Sequence, residues 1–187
     1  NGDCLQIDGK DIFIYSASFQ YYLTPEALWR DRFRKIKAAG MNTVETYIPW
    51  NINELNMPAN AQDQSKFDFT ALKSYLKMAT EEFGLYVIAR PGPFICAEWA
   101  GGGYPRWLAK FMPKQIPDEF WLRSDEPEHV KWSLHWFDAV NKVLADYQVT
   151  DQPKGHTGVI MVQIENEYDA HNAKGKDKFL RSLYHSV

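Results

Sequence analysis

Glu165, Asn166 and Glu167 set two carboxylates two positions apart, at the end of the apolar run Gly158–Glu165 (GVIMVQIE). Along an ideal strand both acids would share one face, with Asn166 on the other. Like charges that close favour keeping one proton between them. A carboxylic acid kept protonated near neutral pH is what proton donation to a leaving oxygen requires. The plainer alternative is a pair of solvated strand-end acids. Glu98, followed by Trp99, is a second candidate. A carboxylate beside an indole suits a polyhydroxylated ligand, the acid accepting from hydroxyls and the ring covering a C–H face. An ion pair from Glu98 to Arg90 or Arg106 is the competing reading. Tyr47 can donate a phenol hydrogen bond into a cleft, or sit in the core with its hydroxyl satisfied.

Other chemistries find little support. His129 and His135 are six apart on one helix, the wrong spacing for one face, and His156, His171 and His185 are scattered. No His-Glu-x-x-His, Cys-x-x-Cys or Gly-x-Ser-x-Gly occurs, so no metal, no other cofactor and no serine nucleophile is expected. Gly101-Gly102-Gly103 is followed by Tyr-Pro-Arg rather than a Lys-Ser/Thr pair. It reads as a turn beside a cleft, not a phosphate cradle.

The candidates sit where apolar strands end. Asp11–Phe19 alternates like a strand. Thr24-Pro25-Glu26 starts a helix, with Thr24 as N-cap, and Gly40 closes it. Asn42–Trp50 is a second strand, Phe69–Phe83 a second helix, Leu85–Arg90 a third strand, and Pro127–Tyr147 a third helix in which Trp132 and Trp136 read as packing of the outer helical layer rather than a cofactor box. Gly158–Glu165 is the fourth strand, and Asp177 opens a fourth helix. Strict alternation predicts an α/β fold with a parallel sheet and right-handed crossovers. Polar groups follow the strands at Tyr47, Trp50-Asn51, Arg90, Glu98 and Glu165–Tyr168, the end at which such folds build sites. An open doubly wound sheet lacks its glycine fingerprint here, since Ser16–Gln20 contains none. A (β/α)8 barrel needs about 250 residues, so four βα units would make half of one. Its exposed strand edges call for the remainder of the barrel or a second copy.

With 187 residues, 45% apolar and 24% charged, the chain has the make-up of an ordinary globular domain. Its 21 basic and 24 acidic residues leave a net charge of −3, which argues against a nucleic-acid partner. No apolar run approaches a bilayer span. A Cys4–Cys96 disulfide is conceivable, but a single pair is no framework.

The blocks Glu45-Thr46-Tyr47-Ile48-Pro49-Trp50-Asn51, Arg90–Trp99 (RPGPFICAEW), Gly102–Leu108 (GGYPRWL) and Val162–Tyr168 (VQIENEY) resemble glycoside hydrolase family 35, the β-galactosidases. The similarity runs through nearly the whole chain, in order. It implies a (β/α)8 TIM barrel that removes terminal non-reducing β-linked galactose with retention of configuration, residues 1–187 being the N-terminal half of its catalytic domain. By the same resemblance Glu167 is the general acid/base and Asn166 binds the hydroxyl next to the anomeric carbon. Tyr47, Ala97 and Glu98 line the galactose pocket, while Glu165 is supportive. Retention needs a nucleophilic carboxylate about 5–5.5 Å from the acid/base. In the family it ends a later strand, so it is expected beyond residue 187.

Two departures stand out. Gln20 occupies a position where many members have His, and no cysteine follows Tyr168, so Cys96 is expected to be a free thiol. The family habit suggests a secreted or periplasmic, bacterial protein, and the substrate partner is a β-galactoside. The competing expectations are a non-catalytic carbohydrate-binding or interaction module, and a β-hexosidase of the same barrel class with another sugar.

Overall fold

A computed structural model describes residues 4–114, 121–168 and 176–187. His171 and part of the long segment 97–127 lie outside them. β1 (Leu5–Ile7) and β2 (Lys10–Ile12) pair antiparallel. The Asp8-Gly9 turn between them has φ of 53° and 73°, the double positive φ that a two-residue hairpin favours. β3 (Ser16–Ser18), β4 (Thr43–Tyr47), β5 (Tyr86–Gly92) and β6 (Val159–Ile164) form a second sheet in chain order. β3 and β4 are parallel, with Ser16 opposite Thr43 and Ser18 opposite Glu45. Rungs from Tyr86 N to Asn42 O and from Ile48 N to Arg90 O climb both strands in the same sense. Those from Val87 N to Gly158 O and from Glu165 N to Gly92 O do the same, so the sheet is parallel.

The strand expected over Asp11–Phe19 is therefore two. The hairpin turn claims Asp11 and Ile12, and Phe13 is left 83% exposed between the sheets. The first helix also differs at its start. Pro25 leads a 3-10 turn, Glu26–Leu28, before α1 (Trp29–Ala38), and Thr24 provides no side-chain cap. Its carbonyl instead accepts the Trp29 indole N–H at 2.8 Å, which fixes that buried ring. Gly40 ends α1 as expected. At φ 82° it lets Gly40 N reach Lys37 O and Met41 N reach Ile36 O, which is a Schellman closure.

The chain divides into two compact units. One comprises residues 1–46, 70–89 and 144–161. Its centre is aromatic: Phe19, Phe33 and Tyr75 have ring centroids 5.1–5.6 Å apart, and the Tyr75 hydroxyl donates to Phe19 O. The helix Thr70–Lys77 lies here and runs on as a π-helical turn, Met78–Glu82. The other comprises residues 47–69, 90–143 and 162–187. It holds α2 (Trp50–Asn53), all but the last two residues of α4 (Pro127–Ala145), and α5 (Lys176–Tyr184), the helix Thr70–Lys77 of the first unit being α3. Trp136 on α4 stacks on Trp50 at 5.9 Å and donates to Pro91 O. Trp132 and Trp136 are thus buried packing residues.

A buried hydrogen-bonded pair, His135 and Glu54, anchors α2. His135 Nδ1 meets Ala61 O at 2.9 Å, and because a carbonyl only accepts, that nitrogen carries hydrogen. Its Nε2 lies 2.9 Å from Glu54 Oε1, with both side chains fully buried. The Trp50 indole donates to the other Glu54 oxygen at 2.7 Å. Replacing Glu54 by Leu strands both partners. Glu54→Leu should lower unfolding stability by about 3–5 kcal/mol in urea titrations of the complete protein, and Glu54→Gln, which keeps hydrogen-bonding atoms, by clearly less.

Candidate active site

The candidate residues follow β4, β5 and β6, all within the second unit. Tyr47 closes β4 half-buried, and its hydroxyl donates to Asn166 Oδ1 at 3.0 Å. Arg90, near the end of β5, donates to the same oxygen at 2.8 Å. Its guanidinium lies 3.9 Å from the Tyr47 ring centroid, a cation–π contact. A guanidinium has no acceptor, so the Asn166 atom it touches must be the amide oxygen. The amide is oriented with Oδ1 inward, and Nδ2 is the donor left for a ligand. Arg90 therefore serves Asn166. Among the described residues Glu98 makes no ion pair, with Arg90 or Arg106 included.

β6 ends at Ile164, one residue earlier than expected, and the two acids do not continue it. Glu165 and Glu167 have φ of 58° and 50°. Glu165 turns inward and is 2% exposed, whereas Glu167 is exposed. The Glu165 carboxylate pairs with Arg123, at 2.9 Å from Nε and 2.7 Å from a terminal nitrogen. Burial pushes its carboxyl up to about 7, with Arg123 and the backbone of Asn166 and Phe94 pulling the other way. The expected sharing of a proton with Glu167 is not the cause.

Arg123 was not a candidate in the sequence. Its guanidinium also donates to Asn166 O at 2.5 Å and lies 4.0 Å and 5.1 Å from the ring centroids of Phe94 and Tyr168. The Tyr168 hydroxyl donates to Arg123 O at 2.6 Å. Its own backbone, at φ 63°, is held by His129 Nε2, 3.2 Å from Arg123 N. His129 Nδ1 faces Ser124 O, so that ring is neutral with Nε2 accepting. The one signal for Arg123 was indirect: a buried strand-end acid needs a cation.

Ala97 and Glu98 lie in a stretch without parallel elsewhere in the described chain. Cys96, Ala97 and Glu98 have φ of 54°, 45° and 53° in succession. Left-handed non-glycine residues cost on the order of 1–3 kcal/mol each and cluster at functional sites. Backbone bonds Trp99 N to Cys96 O and Ile95 N to Gly102 O pin this turn. Asn51 on α2 accepts from the Trp99 indole and donates to Ala100 O. The turn leaves Ala97 half-buried and Glu98 exposed. Gly102 packs against Phe94 so closely that an added Cβ would lie 2.1 Å from the ring. Neither Cys4 nor Cys96 is in a disulfide.

Gln20, in the first unit, accepts from the Thr46 hydroxyl and donates to Ser18 Oγ. No group of three His, Cys, Asp or Glu among the described residues could hold a metal ion. No helix among them is long and apolar enough to cross a membrane.

Parallel strands in chain order, helices between them and polar side chains gathered at the strand ends define the first part of a (β/α)8 barrel. The chain belongs to glycosyl hydrolases family 35, whose family model matches residues 4–186. It is 37% identical to a β-galactosidase of Pongo abelii over 97% of this chain and 24% of the relative. It is 38% identical to one of Xanthomonas manihotis over 88% and 25%. It is 33% identical to an exo-β-D-glucosaminidase of Pyrococcus horikoshii over 89% and 22%. The chain thus spans about a quarter of the length of the curated relatives it matches. Among solved structures, a GH5_18 protein of Streptomyces cattleya aligns with a TM-score of 0.61 at 13% identity, over 92% of this chain and 41% of that one. A β-galactosidase of Marinomonas ef1 aligns at 0.59 and 15%, over 85% and 22%. At such identities these two establish the fold alone.

The raised carboxyl has a consequence for stability. Between its ordinary 4.5 and about 7, folded Glu165 binds a proton that the unfolded chain has released. Its contribution to stability is full below about 4.5 and is lost as pH rises to about 7. Urea midpoints measured at pH 5 and pH 8 should therefore fall further in the parent protein than in Glu165→Gln; parallel pH profiles would contradict this.

Proposed function

We propose that the complete protein is a retaining exo-acting β-galactosidase, to which this chain contributes the first four βα units and the proton-donating side of the site. The observation that carries the reading is the oriented Asn166 amide, held by Tyr47 and Arg90, with Glu167 next to it in the chain and exposed. An amide N–H donor and a carboxyl side by side suit a sugar whose ring hydroxyl accepts while its glycosidic oxygen takes a proton. Glu167 is the acid/base, Asn166 binds the hydroxyl beside the anomeric carbon, and Tyr47, Ala97 and Glu98 line the sugar pocket. Family membership supports the glycosidase class, and the resemblance of the motifs around these residues supports the assignments. The nucleophile would come from a strand outside this chain and form the glycosyl-enzyme intermediate, which a water deprotonated by Glu167 then hydrolyses.

A second reading keeps the mechanism and changes the sugar. It is favoured by the 33% identity to an exo-β-D-glucosaminidase. Comparing kcat/KM on aryl β-D-galactoside and aryl β-D-glucosaminide separates the two.

The acid role is tested by leaving-group dependence in the complete protein. In Glu167→Gln, kcat/KM on an alkyl β-galactoside should drop by about 10²-fold or more, while an aryl galactoside with an activated leaving group loses far less at this step. Equal losses on both substrates would refute the assignment.

A further inference from the structure

We propose that Arg123 is a positioning residue for the acid/base Glu167, clamping the peptide that carries it; this rests on the reading of Glu167 above. Four consecutive residues, Glu165 to Tyr168, follow β6. The Glu165 carboxylate takes two guanidinium nitrogens of Arg123. The Asn166 carbonyl takes a terminal nitrogen at 2.5 Å. Tyr168 lays its ring against the guanidinium and its hydroxyl on the Arg123 carbonyl. Glu167 alone of the four faces solvent. Because the Asn166 carbonyl belongs to the Asn166–Glu167 peptide plane, the bond from Arg123 fixes the rotation of that plane and hence the direction in which the Glu167 side chain leaves the backbone. Glu165 and Glu167 both hold left-handed φ, which other contacts must enforce.

The clamp is itself rigid. Phe94 and Tyr168 both lie against the guanidinium, and the residue is only 8% exposed. His129 fixes the Arg123 backbone and is in turn met by the Tyr104 hydroxyl at 3.1 Å. A lysine here keeps the charge but cannot reach the Glu165 carboxylate and the Asn166 carbonyl with a planar fork. A misplacement of the acid by about 1 Å can cost 10²-fold in rate. That loss should fall on protonation of the leaving group, not on sugar binding.

The test compares Arg123→Lys, Arg123→Met and Glu167→Gln in the complete protein, after circular dichroism and active-site titration establish the folded fraction. On an alkyl β-galactoside, kcat per folded site should fall at least tenfold in Arg123→Met, with KM little changed, and by less in Arg123→Lys. kcat/KM on an activated aryl galactoside should stay within about threefold. If both arginine variants lose equally on the two substrates, or lose only folded protein, Arg123 is structural and the proposal falls while Glu167 keeps its role. If Glu167→Gln itself shows no leaving-group dependence, the reading of Glu167 fails first. Where Arg123→Met does not fold, Arg123→Lys decides alone, its loss concentrated on the alkyl substrate supporting the clamp and an even loss overturning it.

Discussion

A buried guanidinium with two aromatic rings against it is expensive to desolvate unless its donors find partners. Arg123 meets much of that demand through Nε and one terminal nitrogen, which reach a single Glu165 oxygen and the Asn166 carbonyl. The demand runs both ways. Glu165 sits almost fully buried directly after β6, and without Arg123 an ionised carboxylate there would lack any compensating charge. Each group makes the other tolerable, and together they bind the residues after β6 to the segment before α4. The exposed carboxyl of Glu167 is set by this exchange between two charges that take no part in the proposed chemistry.

The same organisation recurs on the other side of the site. Asn166 has its amide oxygen saturated by Tyr47 and Arg90, and Arg90 is spread over the Tyr47 ring. A donor-only group thus dictates which end of an amide faces outward. The adjoining turn through Cys96, Ala97 and Glu98 is an unfavourable backbone conformation held by Trp99, Asn51 and Gly102. Polar side chains reach the site because buried neighbours use up their other options.

Much of this was legible in the residues. The runs that became β4, β5 and β6 were legible as strands, although in β6 only Val159 is buried and Met161 is exposed, and the polar block after each was readable as a strand end. Gly40 announced the close of α1. What escaped had specific causes. The hairpin hid because Asp11 and Ile12 alternate as well with Lys10 as with Phe13. The early end of β6 was invisible because nothing in Glu165-Asn166-Glu167 forbids extended backbone; the burial of Glu165 against a cation 42 residues away decided it. Arg123 lies in a segment without periodicity, and its partners are distant in the chain. The left-handed turn at Cys96–Glu98 carries no glycine to advertise it.

Phe94 ties the two sides of the site to each other. Its ring centroid lies 4.0 Å from the Arg123 guanidinium, and the same ring leaves no space for a side chain at Gly102. Any library that diversifies the loop around Ala97 and Glu98 meets a boundary there. A Cβ at Gly101 meets nothing within 4 Å, although its φ of 66° favours glycine, whereas bulk at Gly102 would push on the ring that lies against Arg123. The loop's sequence and the setting of Arg123 would then drift together in such a library unless Gly102 were held constant.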